Sequence, residues 1–226
     1  MKFIIIGLGS FGASIAVKLT EMGHEVIGVD RNMTKVDALK ESITHTICLD
    51  STDAQAISYL PLKDTNVVFV CIGENEGANI MATAVIKQAG VQRLISRALS
   101  PLHETVLQAM GVDEIVHPEE ETAERWAKKL NLEGVYDSFD LGGEYSIIEA
   151  QVPKKYIGKT IGDVGFRKNY NVVVLTTLTI SEKSTALGTK NRVLNVNGVA
   201  RLSTVLNEGD IIVMYGSKKD LEELLK

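Results

Sequence analysis

Three glycines near the amino terminus have the residue type and spacing of a phosphate-binding loop. Gly7, Gly9 and Gly12 follow the apolar run Lys2–Ile6 and open a helical pattern. In such a loop the first glycine makes a tight turn, the second lets the backbone approach a diphosphate, and the third allows close packing of helix on sheet. The amides at the helix start, with the positive end of the helix dipole, hold the phosphates. Three glycines alone are a weak signal, and it is the strand before them and the helix after them that make the motif specific.

An acidic residue stands where such a site would bind a ribose. Asp30 ends the second apolar run, 18 residues beyond Gly12. An acid at this point can accept hydrogen bonds from both ribose hydroxyls, and it would repel a 2′-phosphate. The positive charge of the neighbouring Arg31 slightly weakens this repulsion of a 2′-phosphate. We therefore predict that an adenosine nucleotide binds at the glycine loop.

Six short apolar segments alternate with helical patterns over residues 1–118, which predicts a parallel sheet with right-handed crossovers. The segments are rich in Val and Ile and apolar at successive positions, as expected of strands covered on both faces. The predicted strands are Lys2–Ile6, Glu25–Asp30, Thr46–Asp50, Asn66–Ile72, Arg93–Arg97 and Glu114–His117. The predicted helices are Phe11–Met22, Thr34–Ser42, Asp53–Leu60, Glu76–Ala89 and Pro101–Met110. The fold class is α/β, a doubly wound parallel Rossmann sheet followed by a small C-terminal α+β domain.

The pattern changes after residue 118. Residues 119–140 are predicted to form a connecting helix and a linker, in which Trp126 and Leu130 make an apolar stripe. That stripe is compatible with packing on the chain's own sheet and with a dimer contact. Residues 141–226 are predicted to form the α+β domain, with an exposed loop at 181–190 and a closing helix at Lys218–Leu225.

Composition and charge argue against several classes of protein. The net charge is -5, and the chain has no basic run interleaved with aromatic residues, so we do not expect a nucleic-acid partner. No stretch approaches the roughly 18 apolar residues needed to span a bilayer. The first apolar run breaks at Gly7, so we expect a strand there instead of a signal peptide, and a cytoplasmic protein. Cys48 and Cys71 lie in apolar runs, and both are expected to be buried thiols.

The chain offers little that could carry catalysis. A hydride-transfer enzyme needs a proton donor or acceptor, and usually a sizeable second domain that closes over the nicotinamide. All four histidines precede residue 118, and only His103 and His117 lie at the carboxyl side of predicted strands, where ligands of such sheets collect. No Ser-Tyr-Lys or Cys-His constellation is recognisable. We expect a protein that is not an enzyme, with a small NAD-dependent oxidoreductase as the alternative.

Three stretches of the chain resemble the regulatory subunits of the Trk and Ktr potassium-uptake systems: FIIIGLGSFGASIAVKLTEMGHEVIGVDRN, CIGENEGAN and ISRALSPLHETVLQAMGVDEIVHPEEE. In that family an RCK (or KTN) nucleotide-binding domain precedes a small TrkA-C or RCK-C domain. The resemblance implies a cytoplasmic subunit that binds ATP, ADP or NAD(H) and gates a membrane potassium transporter or channel. It further implies homodimers that assemble into a ring, and a C-terminal domain that supports assembly or binds a second small-molecule effector.

The resemblance also implies which residues meet each part of the nucleotide. The diphosphate would lie on Gly9, Ser10, Phe11 and Gly12, and the ribose on Asp30, flanked by Arg31 and Asn32. The adenine side would be lined by Asp50, Ser51, Ile72, Gly73 and Glu74, and the phosphate side by Arg97, Ala98 and His103. Glu119 matches a residue that in some members helps to hold a divalent cation at the dimer junction.

For some of these residues other roles stay open. Arg97 could be a surface charge at a strand end, His103 a surface residue of a helix, and Glu119 an acid that stabilises a helix start. ATP-responsive members commonly carry an arginine where this chain has Ser10. A hydroxyl cannot make bidentate charge-assisted contacts with a γ-phosphate. We therefore expect weak discrimination between ATP and ADP, with NAD(H) or AMP as more credible ligands, unless Arg97 compensates.

Overall fold

The computed structural model describes residues 1–131, 134–141, 143–184 and 190–225. The chain divides into two compact units, Met1–Glu120 and Glu121–Lys226. Each unit is built around its own sheet and has its own hydrophobic core. Within the described ranges, no helix is long and apolar enough to cross a membrane.

The first unit contains a six-stranded parallel sheet, which confirms the predicted fold class. Its strands are β1 (Lys2–Ile6), β2 (Glu25–Asp30), β3 (His45–Cys48), β4 (Val67–Val70), β5 (Leu94–Arg97) and β6 (Glu114–Val116). Its helices are α1 (Ser10–Glu21), α2 (Met33–Ala38), α3 (Ala54–Ile57), α4 (Glu76–Gln88) and α5 (Pro101–Ala109), and α6 (Pro118–Asn131) begins at its end. The bounds differ from those predicted by one to a few residues, and the largest differences are at the ends of α2 and α3, which stop at Ala38 and Ile57 and not at Ser42 and Leu60.

The spatial order of the strands is β3-β2-β1-β4-β5-β6, so the direction of winding reverses between β1 and β4. Ligands of open α/β sheets bind outside the carboxyl ends of the strands at such a reversal. On β1, Ile4 and Ile6 pack into one apolar cluster, while Ile5 packs into the cluster on the opposite face. Burial on both faces explains why the strand is apolar at successive positions.

Short polar residues set the starts of the helices that leave the carboxyl edge of this sheet. The side chains of Asn32, Asp53, Asn75 and Ser100 each accept a hydrogen bond from a backbone N–H in the first turn of α2, α3, α4 and α5, respectively. Such caps satisfy donors that a helix start otherwise leaves without a partner. The loops at this edge are therefore fixed locally by their own sequence.

The second unit contains a five-stranded antiparallel sheet of order β10-β9-β11-β8-β7. Its strands are β7 (Val135–Asp140), β8 (Tyr145–Gln151), β9 (Val173–Ser184), β10 (Lys190–Val196) and β11 (Ile211–Ser217). The helices α7 (Ile161–Val164), α8 (Phe166–Tyr170) and α9 (Lys218–Leu225) complete it. Its larger core includes the fully buried Phe166, Leu206 and Met214.

Two segments of the second unit differ from the sequence-based expectation. Val135–Asp140, expected to belong to a linker, is strand β7, because Val135 buries its side chain beside Ala150 on β8. In the loop expected at 181–190, β9 continues to Ser184 and pairs with β10, which begins at Lys190. Residues 185–189 lie outside the described part of the chain.

The structure also bears on two expectations about burial. Cys71 is buried, but Cys48 is exposed at the end of β3, so the prediction of two buried thiols was wrong for Cys48. The reason is that β3 is an edge strand, and its last residue points out of the core. On α6, Trp126 and Leu130 are 54% and 79% exposed, so the alternative in which the stripe packs on the chain's own sheet gains no support.

Candidate functional site

The three glycines of the loop have three different structural settings. Gly7 has φ of +94°, a backbone conformation that only glycine adopts readily. A Cβ on Gly12 would lie 2.0 Å from the carbonyl oxygen of Gly7, so the start of α1 packs against the loop too closely for any side chain. At Gly9 the backbone is extended, and a Cβ would have no other described atom within 4 Å. The fold therefore demands glycine at Gly7 and Gly12, whereas at Gly9 the smaller residue leaves an open space.

This open space lies at the first turn of α1. Gly9 precedes the helix, its carbonyl oxygen accepts the N–H of Ala13 at 2.9 Å, and no side chain in the described chain caps the helix start. The first amides of a helix have no partner within the helix. Ser10 is exposed there. Gly9 and the first turn of α1 thus form a cradle with the open backbone and the free amides that a diphosphate requires.

Asp30 is tied directly to the glycine loop. Its Oδ2 accepts the N–H of Leu8 at 2.8 Å, and its Oδ1 accepts the N–H of Asn32, also at 2.8 Å. Asn32 in turn caps α2. A carboxylate has about four acceptor positions, so Asp30 retains capacity for ribose hydroxyls. Arg31, which follows Asp30, is exposed.

Asp50 and Ser51 follow β3 at the same edge of the sheet. Asp50 is exposed, and its Oδ1 accepts both the N–H and the hydroxyl of Thr52, at 2.9 and 2.8 Å. These bonds from Thr52, with a smaller contribution from the charge of Arg31, lower the pKa of the Asp50 carboxyl. Ser51 is 8% exposed, so its side chain is largely withdrawn from this surface.

The segment after β4 forms one wall of the crevice at the reversal between β1 and β4. A Cβ on Gly12 would come within 3.0 Å of Cβ of Cys71, so the start of α1 is packed against this wall. Burial raises the pKa of the Cys71 thiol, which makes it an inert packing group. Glu74 is largely exposed and forms a 3.0 Å ion pair with Lys35 of α2. The pair links the segment after β4 to the helix that follows β2.

A buried polar network, which the sequence analysis did not identify, holds the ends of β4 and β5 together. The amide nitrogen of Asn79 donates to the carbonyl oxygens of Ile72 at 3.0 Å and of Arg97 at 3.1 Å. Its amide oxygen accepts the hydroxyls of Thr83 and Ser96. Asn79, Thr83 and Ser96 are fully buried. The signal in the sequence that could have revealed it was a pair of polar residues four positions apart, Asn79 and Thr83, on the helix face that also carries the buried Ala82 and Ile86.

Arg97 extends from the end of β5 into the crevice. A Cβ on Gly73 would lie 2.3 Å from its Nη1, so the guanidinium rests on the bare Gly73 peptide. Its Cζ lies 5.8 Å from the centroid of the Phe11 ring, and its Nη2 pairs with Glu119 Oε1 in the first turn of α6. The side chain is 14% exposed, so the alternative of a surface charge was wrong for Arg97.

His103 and Ala98 are buried, at 1% and 3% exposure. The alternative of a surface helix residue was therefore wrong for His103. Its Nδ1 accepts the N–H of Leu99 at 3.3 Å, and its Nε2 has no partner among the described residues. Burial lowers the pKa of the imidazole, against an opposing effect of Glu76. The neutral ring thus offers an unused Nε2–H donor close to the start of α4.

Glu119, the residue expected to hold a cation, is paired with Arg97 in this structure. Within the described ranges, no three His, Cys, Asp or Glu side chains come together as metal ligands. In the described part of the chain Glu119 therefore belongs to no three-ligand cluster.

The structure thus brings the glycine loop, Asp30, the segment after β4 and Arg97 together at the reversal between β1 and β4. Against known families, residues 3–118 match the model described as the TrkA-N domain. The chain is 33% identical over 226 residues to Ktr system potassium uptake protein C of Bacillus subtilis (strain 168), covering 100% of this chain and 96% of the relative. It is 32% identical over 225 residues to Ktr system potassium uptake protein A of the same organism, covering 98% and 94%.

Solved structures agree on the fold. The chain superposes on the crystal structure of the GsuK RCK domain with a TM-score of 0.65 at 19% identity, covering 99% of this chain and 47% of that one. For the GsuK channel bound to NAD the TM-score is 0.64 at 20% identity, covering 99% of this chain and 38% of that one. The chain therefore spans about half or less of these solved chains, and at such identities the likeness shows the fold alone.

Proposed function

The chain belongs to the TrkA-N domain family, and from this premise we propose that it is a nucleotide-binding regulatory subunit that gates a membrane potassium-uptake system. The observation that carries the proposal is the similarity to Ktr system potassium uptake proteins, which runs through both units instead of ending with the Rossmann sheet. These relatives are potassium uptake proteins and not enzymes, so the oxidoreductase alternative is set aside.

The proposed ligand is an adenine nucleotide with a diphosphate, such as ADP, ATP or NAD(H). The open cradle at Gly9 fits the diphosphate, because a backbone without a Cβ and free helix amides face the same space. Asp30 takes the ribose hydroxyls. Asp50, after β3, and Glu74, after β4, are both exposed at the carboxyl edge of the sheet and border the adenine side. That a GsuK channel of the same fold has been solved with NAD supports this class of ligand.

We further propose how this subunit works with its partners. It acts at the inner face of the cell membrane on a Trk- or Ktr-type potassium-translocating subunit, as the names of its relatives suggest. Homodimers assemble into a ring, and the second unit supports assembly or takes a second small-molecule effector. A divalent cation at Glu119 would require ligands from a second copy, since one chain offers no such cluster in its described part.

Gating requires that the nucleotide bind one arrangement of the subunit better than another. A ligand shifts an equilibrium only by its differential affinity for the two states. The exposed Ser10 supplies no charge to a γ-phosphate, so we expect ATP and ADP to bind about equally well.

Two measurements test the proposal. Calorimetric titration with ATP, ADP, AMP and NADH should show binding of the diphosphate-containing nucleotides, and a ratio of more than about tenfold between ATP and ADP, roughly 1.4 kcal/mol, would contradict the argument from Ser10. Potassium flux into vesicles that carry a Ktr-type membrane subunit should then depend on the added protein and on the nucleotide. A potassium flux that does not change when nucleotide is added would overturn the assignment. Steady turnover of NADH with a carbonyl substrate would overturn it as well.

A further inference from the structure

Asn79 connects two walls of the crevice from a fully buried position. It is the fourth residue of α4. Its amide nitrogen donates to the carbonyl oxygens of Ile72 at 3.0 Å and of Arg97 at 3.1 Å. The hydrogen-bonded ladder between β4 and β5 ends before these two residues, at the pair Val70 and Ser96. The Asn79 amide therefore joins the two strands beyond the point at which they pair with each other.

The orientation of the Asn79 amide is fixed by its partners. A carbonyl oxygen only accepts hydrogen bonds, so the NH₂ side of the amide must face Ile72 and Arg97. The oxygen side accepts the hydroxyls of Thr83 at 3.3 Å and of Ser96 at 3.1 Å. Thr83 and Ser96 are fully buried, and their hydroxyl oxygens lie 3.2 Å apart. Turning the amide over would place its oxygen against two carbonyl oxygens, so a single orientation is stable.

The backbone segments that Asn79 joins are packed closely against the rest of the crevice. A Cβ on Gly7 of the glycine loop would lie 3.0 Å from the backbone nitrogen of Ile72. A Cβ on Gly73 would lie 2.3 Å from Nη1 of Arg97. A shift of the Ile72 backbone therefore changes the space between the glycine loop and the segment after β4.

The Asn79 amide is what keeps these segments from shifting. A buried carbonyl oxygen that loses its donor carries a large desolvation cost. Without the amide, the carbonyl oxygens of Ile72 and Arg97 regain hydrogen bonds only if the strand ends move until water reaches them. Such a movement displaces the wall of the crevice that borders the adenine side of the proposed nucleotide site.

We infer that Asn79 is a positioning residue of the nucleotide site, and that Thr83 and Ser96 hold its amide in the orientation that this role requires. Asn79 sets the place of the segment after β4 without touching the ligand. The inference rests on the proposed nucleotide binding, and it adds a set of buried residues behind the wall on which the affinity depends.

Binding of ADP to the full chain and its variants tests the role of Asn79. Asn79→Leu replaces the amide with an apolar group of similar size and should weaken ADP binding by about tenfold. Ile86→Ala is the matched control, because Ile86 is a fully buried residue of the same helix and its truncation destabilises the packing of α4 without removing the amide bridge. It should leave the affinity within about twofold. Calorimetric titrations are made where chemical denaturation shows each variant to be native.

The rate constants separate positioning from a general loss of stability. A variant that is only partly native loses apparent affinity in proportion to its competent fraction, and ADP then leaves the native molecules at the normal rate. A displaced wall instead weakens the complex itself, so ADP should dissociate from Asn79→Leu about tenfold faster while association stays within about twofold. Surface plasmon resonance on the immobilised full chain measures both rate constants.

A milder variant tests the two hydroxyls. Thr83→Val combined with Ser96→Ala keeps Asn79 but removes the groups that orient its amide. This protein should bind ADP about threefold more weakly than the unaltered chain. If Asn79→Leu does not fold, the result of this double variant decides the inference.

The inference is overturned if natively folded Asn79→Leu binds ADP within about twofold of the unaltered protein, or if Ile86→Ala weakens binding as much as Asn79→Leu does. It is also overturned if the loss lies in association instead of dissociation, or if the double variant binds ADP as tightly as the unaltered protein. Should the unaltered protein not bind ADP at all, the proposed function itself is wrong, which is a result distinct from any of these.

Discussion

The Oδ2 atom of Asp30 accepts the backbone N–H of Leu8 at 2.8 Å, so the acid at the end of β2 and the glycine loop after β1 form one hydrogen-bonded unit. A residue expected to bind a ribose therefore also shapes the loop expected to bind the phosphates. Its removal must affect stability and binding together, and the two effects have to be separated by a control.

Asp30→Ala should weaken the binding of every ribose-containing ligand by about tenfold or more, because a charge-assisted pair of hydrogen bonds is lost. It should also lower the free energy of unfolding by about 1.5–3 kcal/mol through the lost bond to Leu8. Asp113→Ala is the matched control, since Asp113 Oδ2 accepts the N–H of Leu94 at 2.7 Å at the other edge of the sheet. Calorimetry and chemical denaturation measure the two quantities. Unchanged nucleotide affinity in Asp30→Ala would remove Asp30 from the site.

The glycines of the loop should respond to substitution in opposite ways. Gly9→Ala should leave the unfolding free energy within about 1 kcal/mol, because the new Cβ meets no described atom and the backbone is extended. It should nevertheless reduce nucleotide affinity, since the methyl group enters the open space. Gly12→Ala should destabilise the protein by about 1–3 kcal/mol or more, since its Cβ would lie 2.0 Å from the Gly7 carbonyl oxygen.

Denaturation curves and titrations of the two variants check this contrast. Normal nucleotide affinity in a folded Gly9→Ala protein would show that the diphosphate does not approach the backbone there. A fully stable Gly12→Ala protein would contradict the close packing of α1 on the loop.

Asn79→Ala should be among the more damaging substitutions in the first unit. It leaves the carbonyl oxygens of Ile72 and Arg97 without the Asn79 amide donor, and each buried polar group without a partner costs about 1–3 kcal/mol. Asn66→Ala removes a single bond, to the N–H of Lys2, and serves as the control. Chemical denaturation should show a loss for Asn79→Ala at least twice that for Asn66→Ala. Equal losses would mean that the network does not hold β4 and β5 together.

His103 should make stability depend on pH in the mildly acidic range. Burial lowers the pKa of its imidazole below the usual value of 6.5. As the pH falls through 6.5, the His103 imidazole becomes protonated in the unfolded chain but stays neutral in the native protein. The unfolding free energy therefore decreases until the pH reaches the native pKa.

Chemical denaturation between pH 5 and pH 8 measures this dependence. His103→Gln should flatten it over that interval, and His45→Gln, at an exposed position on β3, controls for the loss of an imidazole. If the slope of the unfolding free energy against pH is unchanged in His103→Gln, the pH dependence comes from other groups.

Much of the site was predictable because it depends on local constraints. Glycine at positions 7 and 12 is required by the local backbone geometry of the loop, and Asp30 directly follows an apolar strand. Both features could therefore be predicted from short sequence patterns. His103 and Glu119 were ambiguous for the opposite reason. Whether His103 is buried, and which cation faces Glu119, depends on residues far away in the chain.

The sequence by itself determined the parallel sheet and the glycine loop after its first strand, because alternation of apolar strands with helices leaves few topologies. The strand order, and with it the reversal between β1 and β4, came from the structure. Only the tertiary structure decided that Val135–Asp140 joins a sheet, that Cys48 is exposed and that Asn79 joins two strand ends. It also decided that Arg97 lies on Gly73 with Glu119 as its partner. These are contacts between residues distant in the chain, and their energy depends on burial and charge that exist only once the strands have come together.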